Sequence, residues 1–314
     1  LRFTAPVHFG LSDAALSLYA SEESFCADTL FSALCHTALR AEGEAGVTRL
    51  CDAVRRGDLT LSDAMPYCGE TFYLPKPFFH APSTEKLPAK QRKTMKKLRW
   101  LPISAFERFS ASVHGGAPFV PEAGDGFGVH EDYTKAAVTD GEDANPYQVG
   151  VFRFFENCGL WFLLCCPEED SAYYETLIRL LGTGGIGGKV SAGYGSFEIE
   201  DIIFLDEPFD AQTEWLYDAL ARESGSYLLL TTALPETQEL EITLDGAYYQ
   251  LTRRGGFIQS ETYAAEPQKK DTQYFLAAGS VLKRKFSGGL YRACKSGNHP
   301  VYRHAAPVLL GVSL

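Results

Sequence analysis

Residues 182–197 read GTGGIGGKVSAGYGSF and place seven glycines and one lysine between a predicted helix and a predicted strand. Because glycine lacks a Cβ, its backbone can adopt positive φ and bring N–H groups together around an anion. Ordering so many glycines is costly, since glycine loses more conformational freedom on folding than any other residue. We therefore interpret this glycine-rich segment as an anion-binding loop, with a phosphate backbone as the natural ligand.

The glycine-rich segment does not match the common nucleotide-binding motifs. A Walker A loop requires Ser or Thr after its lysine, whereas Lys189 is followed by Val190. A dinucleotide-binding fingerprint follows a strand and opens a helix, and here the order is reversed. A helix C-cap and a β-bulge would account for about two or three of the glycines. The remainder favour contact with an RNA backbone that lies against a sheet.

Two helices and a strand are predicted around this segment. Residues 28–40 fit a helix with Leu30, Phe31 and Leu34 on one face, and Asp28 in its first turn is the expected cap. Residues 171–181 fit a second, amphipathic helix that runs into the glycines. Residues 1–10 alternate in the manner of a strand.

The remaining predicted strands of residues 1–209 complete a known supersecondary motif. Residues 149–155 and 160–166 flank a turn and predict a β-hairpin, and residues 196–205 predict a last strand. The order strand, helix, hairpin, helix, strand is that of a ferredoxin-like βαββαβ unit. Residues 72–88 and 112–145 are predicted as insertions, the second of them a flexible loop. The predicted fold class is α+β.

The rest of the chain predicts a second, smaller unit of similar type. Residues 211–223 fit a connecting helix, and the segments after it are rich in β-formers. These segments are 226–235, 247–260, 272–286 and 306–314. We therefore predict an N-terminal domain over 1–209, with long insertions and the glycine-rich segment, and a C-terminal domain over 210–314.

Charge is distributed unevenly. The formal net charge of −11 argues against a protein that coats nucleic acid without specificity. Residues 86–99, however, contain seven basic residues and no acid, and shorter basic groups occur at 253–254, 269–270 and 283–285. An acidic body with local basic patches is typical of a protein that holds a polyanion at one place and proteins elsewhere. Any one patch could also be solvated surface.

Cysteine usage and hydropathy indicate the compartment. None of the eight cysteines forms a CxxC pair, so neither a zinc site nor a thioredoxin-type site is supported. The chain has no apolar run of about 18 residues. We expect a cytoplasmic protein with reduced thiols, no membrane contact, no metal and no cofactor.

Catalytic motifs are not found in the sequence. No HExxH, nucleophile elbow or paired-carboxylate motif occurs, and no histidine stands at a motif spacing from a second potential catalytic residue. His8 and His36 are the candidates for a general acid or base if the chain is a metal-independent ribonuclease. Arg253 and Arg254, beside a glycine pair, could bind phosphates.

Five segments, taken in order, carry a family resemblance. They are ADTLFSAL (27–34), KKLRWLPISAF (96–106), GIGGKVSAGYGSFEI (185–199), YYQLTRRGGFIQS (248–260) and HPVYRH (299–304). Together they resemble the RAMP superfamily and, more narrowly, are similar to Csm subunit four of type III-A CRISPR effector complexes.

The resemblance implies two ferredoxin-like (RRM-like) domains and a non-catalytic role. It implies that the chain binds the 5′ repeat-derived handle of the CRISPR RNA, and that it contacts the large polymerase-like signalling subunit and the RAMP backbone subunit. The residues implied in RNA binding are Gly184, Gly185, Gly187, Gly188, Lys189, Gly193, Tyr194, Gly195, Arg253 and Arg254.

One segment departs from the family pattern, and two other functions stay open. Many members carry a basic stretch before the hairpin, where residues 128–150 of this chain are acidic. We expect a protein contact or disorder there rather than RNA contact. The alternatives are a RAMP endoribonuclease that processes CRISPR precursor RNA through His8 or His36, and an assembly module that never touches RNA.

Overall fold

The computed structural model describes residues 1–11, 17–79, 87–121, 126–137, 145–260 and 262–314. Its helices in those ranges are α1 (Ala27–Glu42), α2 (Glu44–Arg56), α3 (Ala89–Lys97), α4 (Phe106–Val113), α5 (Ser171–Gly184), α6 (Ala211–Ala221) and α7 (Leu240–Leu244). The strands are β1 (Arg2–Phe3), β2 (Phe9–Gly10), β3 (Ser21–Glu22), β4 (Thr60–Leu61), β5 (Met65–Cys68), β6 (Thr71–Pro75), β7 (Trp100–Pro102), β8 (Gly128–Ala137), β9 (Asn145–Phe154), β10 (Cys158–Trp161), β11 (Leu164–Cys165), β12 (Phe197–Glu198), β13 (Tyr227–Leu229), β14 (Leu251–Arg254), β15 (Gln273–Leu276), β16 (Val281–Leu282), β17 (Leu290–Arg292), β18 (Tyr302–His304) and β19 (Leu309–Gly311).

The N-terminal residues lie between two segments that are distant in sequence. β1 pairs antiparallel with β12 on one side, and Val7 forms a bridge with Phe152 of β9 on the other. The predicted strand over 1–10 is thus present but broken. Pro6 has no N–H to donate, which limits regular pairing at this point.

A first hydrophobic core surrounds α1. Leu30, Leu34 and Ala38 are buried at i, i+4 and i+8, and Phe31 is buried beside them on the same face. Residues of α2 and α5 complete this core. This confirms the predicted helix, but the predicted cap is wrong. α1 begins at Ala27, one residue before Asp28, and its N-cap residue makes no side-chain cap.

The helix is instead capped from a distant part of the chain. Oδ1 of Asp63 accepts a hydrogen bond from the N–H of Ala27 at 2.8 Å. The Asp28 carboxylate is bound by two arginines from the C-terminal part, Arg254 and Arg303, and does not reach the helix N-terminus. Non-local ionic contacts therefore override the local capping preference.

The predicted hairpin over 149–166 is also wrong. The turn exists, since the N–H of Cys158 donates to the Phe155 carbonyl at 3.0 Å, but the two strands then diverge. β9 pairs along ten residues with β8, and β10 pairs with β5 in a sheet of order β10-β5-β6-β7. β10 is buried, and Leu160 is fully enclosed, so this strand requires a partner inside the core.

Residues 112–145, predicted as a flexible loop, are partly regular. α4 extends to Val113, and residues 128–137 form β8. The acidic side chains of β8 are accommodated because cross-strand partners are available: Arg153 of β9 contacts the Glu131 carboxylate at 2.8 Å. The part of the predicted loop at 122–125 and 138–144 lies outside the described residues.

A second core joins the C-terminal part to the middle of the chain. β13 lies between β16 and β19 in an antiparallel sheet, and α6 packs beside β19. Leu228, Val281 and Leu310 from this sheet belong to the same buried cluster as Leu74 and Phe106. None of the described helices is long and apolar enough to cross a membrane.

Candidate nucleic-acid interface

The glycine-rich segment leaves α5 and folds back along the N-terminal strand. α5 ends at Gly184, a single 3₁₀ turn covers Val190–Ala192, and β12 follows at Phe197. φ is positive at Gly185, Gly187, Lys189, Gly193 and Gly195. Lys189, at φ 60°, is the non-glycine residue with positive φ in the described part of the chain. Such a conformation is uncommon without a reason in the surroundings.

Close contacts, two to backbone and one to a side chain, explain three of the glycines. A Cβ at Gly195 would lie 2.1 Å from the Ile186 carbonyl oxygen, and one at Gly187 would lie 2.8 Å from that of His8. A Cβ at Gly188 would lie 2.7 Å from Cδ2 of His8. The lack of side chains at Gly187 and Gly188 therefore lets the loop lie against His8, and the lack of one at Gly195 lets the loop close on itself at Ile186.

The backbone N–H groups of the loop divide into two sets. Those of Gly185, Ile186, Gly188, Ala192, Gly193 and Gly195 donate to carbonyls within the chain, the last of them to Pro6 at 2.9 Å. Those of Gly187, Lys189, Val190 and Ser191 donate to no described residue. All four residues line the cleft described below, so their N–H groups are available to an anion such as a phosphate.

This loop forms one wall of a large cleft. The cleft has a volume of about 1280 Å³, and its other walls come from α1, from residues around 76 and 96–100, and from residues 250–256. Eight basic residues line it against three acidic ones, Glu22, Asp28 and Asp63. The basic residues are Arg40, Lys76, Lys96, Arg99, Lys189, Arg254, Lys270 and Arg303. The cleft is therefore positive in a chain whose net charge is −11.

Much of this positive charge is not neutralised internally. Among the described residues, Arg99, Arg254 and Arg303 form ion pairs, to Glu22 and to Asp28. The other basic residues of the cleft form no ion pair with a described residue; they are Arg40, Lys76, Lys96, Lys189 and Lys270. An incoming anion would meet available cations there.

A buried ionic cluster forms the floor of the cleft. Arg254 binds Asp28 through Nε at 3.1 Å and Nη2 at 2.6 Å, and it also donates to Thr29 Oγ1 at 3.0 Å. Arg303, only 2% exposed, lies with Nη1 3.4 Å from Oδ2 of Asp28, the oxygen that Nε of Arg254 also contacts. The cluster ties α1 to β14 and β18, so it fixes the C-terminal part against the first helix.

The pKa values of the cluster reflect this crowding. Burial acts to raise the pKa of Asp28, but the charge and hydrogen bonds of Arg254, with Arg303, hold it below its usual value. Burial lowers the pKa of Lys270 and also that of Arg303. Asp28 opposes this lowering in both groups, but the positive charge of Arg254 adds to it. An anion in the cleft would relieve this.

The structure places the predicted site residues in two groups. Gly185, Gly187, Gly188, Lys189 and Arg254 line the cleft. The other predicted residues are not among those that line it: Gly184, Gly193, Tyr194, Gly195 and Arg253.

The positions of Tyr194 and Arg253 explain why neither residue lines the cleft. Tyr194 is 4% exposed and packs against Tyr133, with ring centroids 6.2 Å apart. Arg253 is exposed, and it neighbours the half-buried Arg254, so successive side chains of β14 point to opposite faces. Arg254 is thus the residue of this pair that reaches the cleft.

The cleft also contains residues that the sequence interpretation did not single out. Arg40, Lys76 and Arg303 are basic residues that do not belong to a basic run in the sequence. The one available indication for Arg303 was its place in the HPVYRH segment. Lys76 precedes Pro77 and two phenylalanines, a context that did not suggest a charge facing a cleft.

The candidate catalytic histidines differ in access. His8 is 5% exposed, and its Nδ1 lies 2.6 Å from the Gly150 carbonyl oxygen. His36 lines the cleft, and burial, with the charges of Lys270 and Arg40, lowers its pKa. No group of three or more potential metal ligands occurs within the ranges that the structure describes.

Comparisons with known sequences cover nearly the whole chain. Residues 120–198 match the RAMP superfamily, and residues 222–312 match the CRISPR Csm4 C-terminal domain. The CRISPR system Cms protein Csm4 of Mycobacterium tuberculosis (strain CDC 1551 / Oshkosh) is 37% identical over 308 residues, which are 97% of this chain and 94% of that protein. The protein of the same name from Thermococcus onnurineus (strain NA1) is 30% identical over 300 residues, 92% of this chain and 91% of that one.

Solved structures share the fold over a similar extent. A chain of the Csm3-Csm4 subcomplex from a type III-A CRISPR-Cas interference complex superimposes with a TM-score of 0.64 at 18% identity, covering 98% of this chain and 96% of that chain. A chain of a Csm1-Csm4 cassette in complex with cA4 gives a TM-score of 0.60 at 23% identity, covering 99% and 95%.

Proposed function

The chain belongs to the Csm4 family of CRISPR proteins, and from this premise we propose that it is a non-catalytic RNA-binding and assembly subunit of a type III-A interference complex. In this role it holds the 5′ repeat-derived handle of the CRISPR RNA in the cytoplasm. It also joins the large polymerase-like signalling subunit to the RAMP backbone. The observation that best supports RNA binding is the positive cleft with the unused amides of the glycine loop.

The electrostatics favour a polyanion at this one place. Most of an acidic chain repels RNA, so binding concentrates where basic side chains are not already paired. Lys189 can contact a phosphate together with its neighbouring N–H groups, and Lys96 and Lys270 can neutralise further phosphates along the cleft. Because such contacts release counterions, the affinity should fall steeply with salt.

The partner proteins are proposed from the relatives. The solved structures that share this fold contain a Csm4 with Csm1 and a Csm4 with Csm3. These pairings support contacts of this chain with the large subunit on one side and with the RAMP backbone subunit on the other.

The domain division belongs to the same proposal. We infer two ferredoxin-like domains, 1–209 and 210–314. In each part the first segment of the chain lies between two later strands. In the first part β1 pairs with β12 and Val7 forms a bridge with β9; in the second part β13 lies between β16 and β19. That arrangement supports a βαββαβ unit in both parts. The shared second core would hold the two domains together.

The direct test is RNA binding by the full chain with substitutions in the glycine loop. The probe is a labelled CRISPR RNA that carries the repeat-derived 5′ sequence, titrated with and without the large subunit. Lys189→Glu should weaken binding by roughly tenfold or more, since it removes one phosphate contact and adds repulsion. Lys295→Glu is the matched control, because Lys295 is exposed and does not line the cleft.

Gly188→Asp tests whether the loop backbone lies next to RNA, and Gly188→Ala is its control. Asp would place a negative charge in the cleft, while Gly188→Ala introduces the same crowding against His8 without the charge. We expect the Asp variant to lose RNA and the Ala variant to lose less. Unchanged RNA retention by both Lys189→Glu and Gly188→Asp would refute the loop assignment.

The ribonuclease alternative has a separate readout. His8 is buried with Nδ1 against a carbonyl, which leaves it poorly placed as a general acid or base for RNA in the cleft. We expect precursor RNA to remain intact when it is incubated with the chain without metal. A defined cut that His36→Ala abolishes would establish the alternative.

A further inference from the structure

A second, smaller cavity opens beside the cleft. Its volume is about 500 Å³, and it shares Lys76, Phe78 and Gln250 with the cleft, so the two cavities adjoin each other. We call it the aromatic pocket. It is lined by Lys76, Pro77, Phe78, Phe79, Ala247, Tyr248, Tyr249 and Gln250.

The rings of the aromatic pocket are unusually accessible. Tyr248 is 43% exposed and Tyr249 is 41% exposed, and Phe78 and Phe79 are half-buried. Phe79 and Tyr248 contact each other with centroids 4.5 Å apart and planes inclined by 55°. The two rings thus support one another and leave other ring faces open to solvent.

The two segments that form the pocket, 76–79 and 247–250, both form backbone hydrogen bonds with residues 277–281. The N–H of Phe78 donates to the Gly279 carbonyl at 2.8 Å, and the carbonyl of Gln250 accepts from Ala277 at 2.9 Å. Tyr248 forms a backbone bridge with Val281, with hydrogen bonds in both directions. The backbone that carries the rings is therefore fixed, and Phe79 and Tyr248 also support each other, so a ligand would meet a largely preorganised surface.

The adjoining cleft indicates the kind of ligand. Basic side chains beside an aromatic surface bind single-stranded nucleic acid, because the cations hold the backbone and the rings stack with bases. Exposed aromatic rings also occur in protein interfaces, but here the pocket adjoins Lys76 and the positive cleft, which favours a polyanion. The Gln250 amide can also hydrogen-bond a base edge.

We propose that the aromatic pocket is a base-stacking subsite, which takes one nucleobase of the same single-stranded RNA whose backbone lies in the cleft. The base stacks on the exposed ring of Tyr248 or Tyr249 while the adjoining phosphates lie toward Lys76 and Lys96. This inference rests on the proposed function, since it requires RNA in the cleft.

The test places a fluorescent base at each position of the RNA in turn. The probe is the repeat-derived 5′ RNA with 2-aminopurine at a single position, titrated with the full chain. We expect one position, or two adjacent ones, to be quenched on binding. Tyr248→Leu with Tyr249→Leu should abolish that quenching and weaken binding by about 5- to 100-fold, the range for loss of one base–aromatic stack.

Two controls separate stacking from folding and from general loss of tyrosine. Tyr217→Leu removes a comparably exposed tyrosine, 45% accessible, from α6. Tyr248→Phe with Tyr249→Phe keeps both rings and should retain the quenching. Equal thermal midpoints for all variants would show that the fold is unchanged.

The outcomes are distinguishable. If the wild-type chain binds RNA, Lys189→Glu weakens it, and the double Leu variant binds and quenches like the wild type, the stacking subsite is refuted and the proposed function stands. If the double Leu variant keeps RNA but loses the large subunit, the pocket is a protein interface and the proposal is also refuted. If the wild type binds no RNA, both proposals fail together.

Discussion

Gly193 and Gly195 provide a matched pair for testing why the loop needs glycine. Both have positive φ, 87° and 77°, so an Ala at either position carries the same kind of backbone strain. A Cβ at Gly193 would meet nothing within 4 Å, whereas one at Gly195 would lie 2.1 Å from the Ile186 carbonyl oxygen. The pair therefore separates conformational strain from close packing.

The expected magnitudes differ accordingly. Gly193→Ala should lower the free energy of unfolding by about 1 kcal/mol, the usual cost of a left-handed conformation for Ala. Gly195→Ala adds a clash that only a backbone shift can relieve, which costs about 1–3 kcal/mol more. That shift also disturbs the hydrogen bond from Ile186 to the Gly195 carbonyl, 3.0 Å long.

The assay is urea denaturation of the full chain, followed by RNA titration of each variant. Gly193→Ala should keep nearly wild-type RNA affinity, because the amides of the loop do not move. Gly195→Ala should lose both stability and affinity, since the backbone around Lys189 is displaced. Equal losses in the two variants would refute the claim that close packing against Ile186 determines the need for glycine.

Further predictions concern charged groups of the cleft. Asp28→Asn should destabilise the chain by about 3–5 kcal/mol in urea denaturation, because Arg254 and Arg303 are left without their carboxylate; a loss below about 1 kcal/mol would contradict this. Burial raises the pKa of Asp63 to about 6, although its hydrogen bonds oppose this rise. The folded chain therefore holds this proton more tightly than the unfolded chain, whose Asp has a pKa of about 3.9. The resulting stabilisation is complete below about pH 3.9 and is lost as the pH rises through about 6. Stability measured across that window should fall by about 3 kcal/mol from this group, and Asp63→Asn should remove the fall. Lys189→Gln should reduce the slope of log K against log salt by about 0.7, and an unchanged slope would exclude a phosphate contact.

The sequence predicted the elements whose causes are local. The apolar periodicity of α1 and α5 and the glycine-rich connection into β12 are all present as expected. The capping box of α6, in which Asp210 and Thr213 bind each other's backbone, was not predicted, although it too depends on neighbouring residues. Such features depend on residues within a few positions of one another, so a single sequence contains the information.

Non-local pairing accounts for what was mispredicted. The hairpin predicted over 149–166 does not form, although its turn does, because β10 pairs with β5, about ninety residues earlier in the chain. Asp28 was expected to cap its helix, yet its charge is taken up by Arg254 and Arg303 from the far end of the chain. The cleft itself is assembled from many separated segments, from Phe9 near the start to Arg303 near the end, so its residues could be recognised singly but not as one site.

The central claim is that the cleft holds the RNA backbone, and cross-linking tests it most directly. The assembled complex would be prepared with CRISPR RNA that carries 4-thiouridine in the repeat-derived 5′ part, irradiated, digested and mapped by mass spectrometry. We predict nucleotide adducts on peptides that contain residues 185–191 and 252–256. Adducts on the other subunits with none on either of these peptides would contradict the account.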